Sequence, residues 1–331
     1  MYLPAEWEKQ EFVQLVFPHE NTDWIDYLDE ALNTFVNIAK SIAKYQKCLI
    51  IANNLTYVKS LFSNKNNLIF VKINSDDTWS RDLGGITVDD NGKKVILDFK
   101  YNAWGKKFAY KLDNQITMQM KLKGLLKGYY HKSISFVLEG GAIESNGDGI
   151  ILTTKQCLME KNRNPTLSQN SIEKRLLEYF GASKILWLNS GYLEGDDTDS
   201  HIDTLARFVA KDTIVYQSCD DIEDVHYEAL KEMENELSLF KQLDGTSFKL
   251  IALPWIEAKY DCDERLPATY ANFLIINGAV LVPTYDDKND EKALQIFKQI
   301  FPSRDVVGVD CQTLIRQHGS LHCVTMQYPK I

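Results

Sequence analysis

Four short segments hold the side chains of this chain that can do covalent chemistry: DDTWSRDLGG (76–85), LEGGAI (138–143), GDDTDSHIDTL (195–205) and HGSLHCVTM (318–326). They contain Trp79, Asp82, Glu139, His201, Asp203 and Cys323. One thiol, one imidazole, several carboxylates and an indole make a set suited to nucleophilic attack on a cation. A guanidinium fits it directly. The group is planar and permanently charged, so Asp82 and Asp203 can grip its nitrogens with forked hydrogen bonds while Trp79 stacks on it or on its alkyl stem. Its carbon is a poor electrophile because the charge is delocalised, which calls for a strong, soft nucleophile such as Cys323. His201 can protonate the departing ammonia and then activate water against the thiouronium intermediate.

Each of these residues also has a structural reading. An isolated Cys on a strand is usually a small buried hydrophobe, and Cys48, Cys157, Cys219, Cys262 and Cys311 keep that reading. Asp82 and Glu139 could serve turns, His201 and Asp203 could satisfy a strand end, and Trp79 could be core. Core packing is preferred over pocket lining for Trp7, Trp24 and Trp104. The acidic run GDDTD (195–199) reads as a solvated loop or as the site for the distal ammonium of a diamine, with Asp196 and Asp197 as the candidates. His318 and His322 stand four apart, but Gly319 and Ser320 argue against a helix presenting both to a metal, and no CxxC pair exists. No metal and no cofactor is expected.

The elements that must bring these segments together follow a repeat. Helical patterning marks Ile25 to Tyr45, Tyr110 to Lys127, Ser168 to Phe180, Asp224 to Phe240 and Asp290 to Phe301. Between them lie turn-linked strand pairs at 84–99, 140–154, 204–218 and 271–285. Asn91-Gly92, Asn146-Gly147 and Asn277-Gly278 predict type I′ turns. Each unit then continues into a third strand: Leu68 to Ile73, Ile134 to Leu138, Lys184 to Leu188, Lys249 to Leu253 and Val306 to Val309. A last strand from Cys323 has no partner downstream, and its natural partner is the N-terminal run Glu11 to Phe17. Joining the two chain ends would close a five-bladed, pseudo-symmetric α/β propeller, a single domain over 1–331, with the start of every first hairpin strand at one end of the axis.

Composition narrows the function. The chain has 331 residues, 44% of them hydrophobic, with 37 Lys+Arg against 46 Asp+Glu for a net charge of −9. Such a balance gives no footprint for nucleic acid and favours cationic ligands. The N-terminal residues lack a secretory pattern, and no apolar run approaches the ~20 residues a membrane span needs. A cytoplasmic location with reduced thiols is expected, and homo-oligomer formation is left open.

At these same residues the sequence resembles the agmatine deiminases, in the guanidine-modifying, or pentein, superfamily. The blocks that carry the resemblance cover nearly the whole chain: PAEWE (4–8), FPHE with TDW (17–24), DDTWSRDLGG, EGG, LTTKQCLMEKNRNP (152–165), GDDTDSHID, ATYANFLIINGAVLVPTYDD (268–287), FPSRDVVGVD (301–310) and HGSLHCVTMQYP (318–329). The resemblance implies the five-bladed α/β propeller, Cys323 as nucleophile, His201 as general acid/base, Asp82 and Asp203 as guanidinium ligands, and Glu139 as an active-site glutamate orienting histidine and substrate. It implies hydrolysis of agmatine to N-carbamoylputrescine and ammonia, a step of putrescine and polyamine synthesis, without a cofactor. The chain departs from the family pattern at Ser200, at His318-Gly319-Ser320-Leu321 and at Gly84-Gly85, all beside the pocket. Two rivals remain. A deiminase of free or peptidyl arginine would need a cation such as Arg163, Arg207 or Arg316 near the substrate carboxylate, or an open cleft. A non-catalytic polyamine-binding propeller would bind without turnover.

Overall fold

The computed structural model describes residues 1–331. It opens with three parallel strands, β1 (Gln10–Val16), β2 (Lys47–Ala52) and β3 (Leu68–Lys72). Four three-stranded sheets follow. They are β4 (Ile86–Asp90), β5 (Lys93–Lys100) and β6 (Tyr130–Val137); β7 (Ile143–Ser145), β8 (Ile150–Thr154) and β9 (Lys184–Leu188); then β10 (Ala206–Ala210), β11 (Thr213–Gln217) and β12 (Lys249–Leu253). After a small hairpin, β13 (Lys259–Asp261) and β14 (Glu264–Leu266), come β15 (Leu274–Ile276), β16 (Ala279–Thr284) and β17 (Asp305–Asp310). In each of the four sheets the first pair is antiparallel and the third strand lies parallel to the second. A parallel neighbour needs a crossover, and helices Ile116–Leu122, Gln169–Phe180, Tyr227–Leu239 and Asp290–Ile300 supply it.

The last strand, β18 (Thr325–Pro329), pairs antiparallel with β1. The first and last segments of the chain therefore build the fifth sheet together, with helix Leu28–Ala43 as the crossover to β2. That helix buries Ala31, Leu32, Phe35, Val36, Ile38, Ala39 and Ile42, the three- and four-residue spacing of one apolar face. The middle strands β8 and β11 are buried along their whole length, and β16 along all but its last residue. Covering both faces of a strand explains why these read as apolar runs rather than alternating patterns.

Several local expectations change. The run Lys47–Ala52, unassigned in the sequence, forms β2 and pushes the predicted strand at Leu68 to the sheet edge. Positive φ at both central residues occurs at Asn91-Gly92, but at 146–147 and 277–278 only the glycine is left-handed, so those two turns are not type I′. The final strand starts at Thr325 rather than Cys323, which leaves Cys323 in the turn that enters it.

Candidate active site

The segment entering the first strand of each sheet is the key to the site. A short helix Ser80–Leu83 precedes β4, a 3-10 turn Gly140–Ala142 precedes β7, and a 3-10 turn Ile202–Thr204 precedes β10. Residues 270–273 lead to β15, and residues 320–324 lead to β18. Asp82, Glu139, His201, Asp203 and Cys323 occupy four of these five entries and all are buried.

Gly141 marks where they meet. A β-carbon built there would lie 2.7 Å from His201 Nδ1, 2.8 Å from Asp82 Oδ1 and 3.2 Å from Asp203 Oδ2. Three polar groups from the entries to two sheets, β4 and β10, thus crowd one backbone position at the entry to a third, which only glycine leaves open. The Gly141 N–H donates to Asp82 Oδ1 over 3.0 Å, and His201 Nδ1 stands 3.6 Å from the same oxygen. Cys323 Sγ lies 4.0 Å from Asp203 Oδ2 and 3.4 Å from Asn272 Oδ1. Two atoms in this cluster, His201 Nε2 and Asp203 Oδ1, are buried without a hydrogen-bond partner. Orphaned polar atoms of this kind are uncommon in folded proteins and suit a site that awaits a substrate.

Cys323, Asp82 and Trp79 border a cavity of about 120 Å³, together with Asp23, Asp77, Trp104, Phe108, Asp197, Thr198, Gln317, His318 and Gly319. Four aspartates and no lysine or arginine face it, an arrangement that attracts a cation. Trp79 is fixed by its indole N–H, which donates to Asp77 Oδ2 over 2.9 Å, and by Gly319, where a β-carbon would come within 2.1 Å of the indole ring.

The charges within the site follow from burial. Burial pushes the Asp82 carboxyl up to about 6, reinforced by Asp203 and Glu139. For His201, burial acts downward but is outweighed by Asp82, Cys157 and Glu139, which raise the imidazole to about 10. Burial, then Asp203 and Asp82, push the Cys323 thiol well above its ordinary value. Burial works to raise Asp203 too, yet hydrogen bonding to His322 brings it below its ordinary value. The free site at neutral pH therefore combines an imidazolium, carboxylates and a thiol.

Other residues take places the sequence did not assign. Trp104 lines the cavity, and its indole N–H donates to Asp82 Oδ2 over 3.0 Å. It sits in a turn, Ala103–Lys106, whose four residues all have positive φ, a rare backbone for side chains other than glycine. Asn102 steadies that turn, accepting from the Gly105 N–H and donating to the Asn162 carbonyl. Asn272 fills the fifth entry. Its Oδ1 accepts from the backbone N–H of His322 and Cys323, and its amide donates to the Asp203 carbonyl, so it pins the cysteine turn to the aspartate segment. The repeat itself held that signal, since the unit at Ala271 was the one without an assigned site residue.

Glu139 does not reach the cavity. Both its oxygens accept from Arg163 Nε. Cys157, read as a buried hydrophobe, stands with Glu139 and His201, their polar atoms all within 4.8 Å. These are metal-ligand types, but the Arg163 guanidinium on Glu139 opposes a cation there. The acidic loop divides. Asp197 borders the cavity, whereas Asp196 turns inward and accepts from Thr198 and the Ser200 N–H. Ser200 and His318, two of the places where the chain departs from the family pattern, both have φ of 63°, a left-handed backbone that favours glycine.

The family model for Porphyromonas-type peptidyl-arginine deiminases matches residues 2–329. The chain belongs to this family. A Porphyromonas gingivalis structure provisionally named arginine deiminase is 49% identical, with a TM-score of 0.95 over 99% of this chain and 98% of that one. A C. jejuni agmatine deiminase, solved as a cysteine-to-serine variant with substrate bound, is 41% identical, with a TM-score of 0.94 over 99% and 96%. A Legionella pneumophila (strain Paris) protein provisionally named agmatine deiminase is 34% identical over 99% of this chain and 95% of its own length. The fold is α/β and pentein-like, and the family places the chain among hydrolases of guanidino C–N bonds. No helix is long and apolar enough to cross a membrane.

Proposed function

We propose that the protein is an agmatine deiminase that works through a covalent intermediate on Cys323. The observation that carries this reading is the acidic cavity lined by the Cys323 thiol. Its four aspartates suit a substrate cationic at both ends, and no lysine or arginine lines it to neutralise the carboxylate of free arginine. The three arginines considered for that task are engaged elsewhere. Arg163 is held by Glu139 and Asp199, Arg207 by Glu144 and Glu6, and Arg316 by Asp261 and Glu30. The name of the substrate-bound relative supports the same choice.

Asp82 and Asp203 grip the guanidinium and Trp79 flanks its stem. A bound cation beside Cys323 offsets the carboxylates that keep the thiol protonated, so substrate binding itself favours the thiolate. Sγ adds to the guanidinium carbon. The C–N bond to one terminal nitrogen then breaks as the His201 imidazolium gives its own proton to that nitrogen, which leaves as ammonia, while the proton displaced from the thiol passes to solvent. Water, deprotonated by His201, adds to the thiouronium carbon. Cleavage of the C–S bond returns the thiol and releases the ureido product. The balance is guanidinium plus water to urea derivative plus ammonium. Glu139 acts at a distance, its charge stabilising the imidazolium. Asp197 receives the distal ammonium, and Asp196 shapes the loop.

The five sheets, with successive entries converging and β1 paired to β18, support a closed five-bladed propeller folding as one domain. Six unpaired cysteines are consistent with a cytoplasmic enzyme, whose product would feed putrescine synthesis. The test is ammonia release from agmatine, arginine and a blocked arginyl peptide in parallel. Agmatine should be strongly preferred; faster turnover of either arginine substrate rejects the assignment.

A further inference from the structure

Behind Asp203, away from the cavity, lies a charged cluster that the mechanism above does not use. His322, next to the thiol in sequence, is buried between two acids: Nδ1 is 2.7 Å from Asp203 Oδ2 and Nε2 is 2.7 Å from Glu6 Oε2. Glu6 comes from the chain's beginning, and its other oxygen accepts from the Ile275 N–H over 2.7 Å. Arg207 is 3.0 Å and Arg81 3.4 Å from the same Glu6 oxygen that His322 meets. Arg207 is also paired with Glu144. A carboxylate presents only lone pairs, so two contacts of 2.7 Å require a proton on each ring nitrogen. Three acids, Glu6, Glu144 and Asp203, then face three cations, Arg81, Arg207 and His322, and the buried cluster is neutral overall.

We propose that His322, clamped by Glu6, is a positioning residue that holds the Asp203 carboxylate charged and aimed at the guanidinium. This rests on the proposed role of Asp203 in binding that group. Asp203 is otherwise in poor company for an anion. Asp82 and the Cys323 sulfur crowd it, and of the cations near it only His322 donates to it directly, while His201 and Arg207 act through space. With Oδ2 tied to His322, the unpartnered Oδ1 is left as the acceptor for substrate. The sequence hides this arrangement because Glu6 and His322 are 316 residues apart.

The experiment has a kinetic arm and a spectroscopic one. In His322→Gln the side chain can donate to only one acid and carries no charge. Its KM for agmatine should rise about tenfold or more, as expected on losing a hydrogen bond from a charged donor, with kcat less affected. The acid limb of kcat/KM, set by Asp82 in the wild type, should steepen and shift upward as Asp203 loses its cation and comes to titrate beside Asp82. Glu6→Gln, which keeps the ring but loosens its clamp, should move both quantities the same way by less, and it serves if the histidine variant does not fold. In the wild-type protein without substrate, ¹⁵N spectra should find both His322 ring nitrogens protonated at neutral pH. A lowered melting temperature with KM and acid limb unchanged would reduce His322 to a packing residue, and one bare ring nitrogen would overturn the proposal outright. The spectroscopic arm needs no turnover, so a wild-type enzyme inert toward agmatine would reject the assigned substrate while the His322 question is still decided.

Discussion

Adding one methyl group at Gly141 probes the convergence of the site more sharply than removing any of its functional groups. Gly141 has no left-handed φ, so Gly141→Ala imposes no backbone penalty and its effect is steric. The new carbon would stand 2.7 Å from His201 Nδ1 and 2.8 Å from Asp82 Oδ1, short of the ~3.5 Å of comfortable carbon contact by roughly 0.7–0.8 Å. Both groups are buried and held, Asp82 by the Gly141 N–H and Trp104, so the strain cannot be shed into solvent. Overpacking of this kind costs about 1–3 kcal/mol in stability. Displacing catalytic groups by nearly 1 Å costs on the order of 100-fold in rate. The assay pairs steady-state ammonia release with a thermal melt. Agmatine turnover should fall by about two orders of magnitude while the protein melts cooperatively, a few degrees lower. A Gly141→Ala enzyme with half the wild-type rate would refute the placement of His201 and Asp82 as a working pair.

The pH profile of kcat/KM should be bell-shaped. Below about 6 the Asp82 carboxyl takes up a proton and loses its grip on the guanidinium, and above about 10 His201 loses the proton that ammonia needs. Flat activity from pH 5 to 7 would exclude Asp82 from the binding step. The same raised His201 value has a consequence for folding. The stability that the paired imidazolium contributes is fully present below its unfolded value of about 6.5 and is lost as pH climbs through about 10, so His201→Gln should flatten the melting temperature between those limits. Asp197→Asn should raise KM for agmatine by about tenfold with little change in stability, whereas Asp196→Asn should lower the melting temperature by loosening the Ser200 turn. Equal effects of the two on KM would contradict the division of the acidic loop.

Much of the architecture was legible because its signals are local. Turn-linked strand pairs and amphipathic helices at regular intervals gave the repeat, and a terminal strand lacking a downstream partner pointed to the pairing of β18 with β1. Strand Lys47–Ala52 shows the mark of a strand covered on both faces only over Cys48–Ala52, an apolar run too short by itself to tell a strand from a buried helix end. Type I′ geometry was overextended, since Asn-Gly supports more than one turn and surrounding contacts select among them. The acids, the imidazole and the thiol stood out because few residue types do such chemistry. Their supports did not. Trp104 depends on a left-handed turn with a single glycine to advertise it, Cys157 sits in a polar stretch, LTTKQCLMEK, that carries no thiol motif, and Asn272 and Glu6 act through contacts that exist only once the sheets have come together.

The central claim is a covalent bond between substrate carbon and Cys323 sulfur. Mixing wild-type enzyme with agmatine, quenching in acid during turnover and mapping the peptides by mass tests it directly. The account predicts the mass of agmatine less ammonia on the peptide bearing Cys323, and its absence, with loss of ammonia release, in Cys323→Ala. An adduct on another residue, or sustained ammonia release from Cys323→Ala, would contradict it.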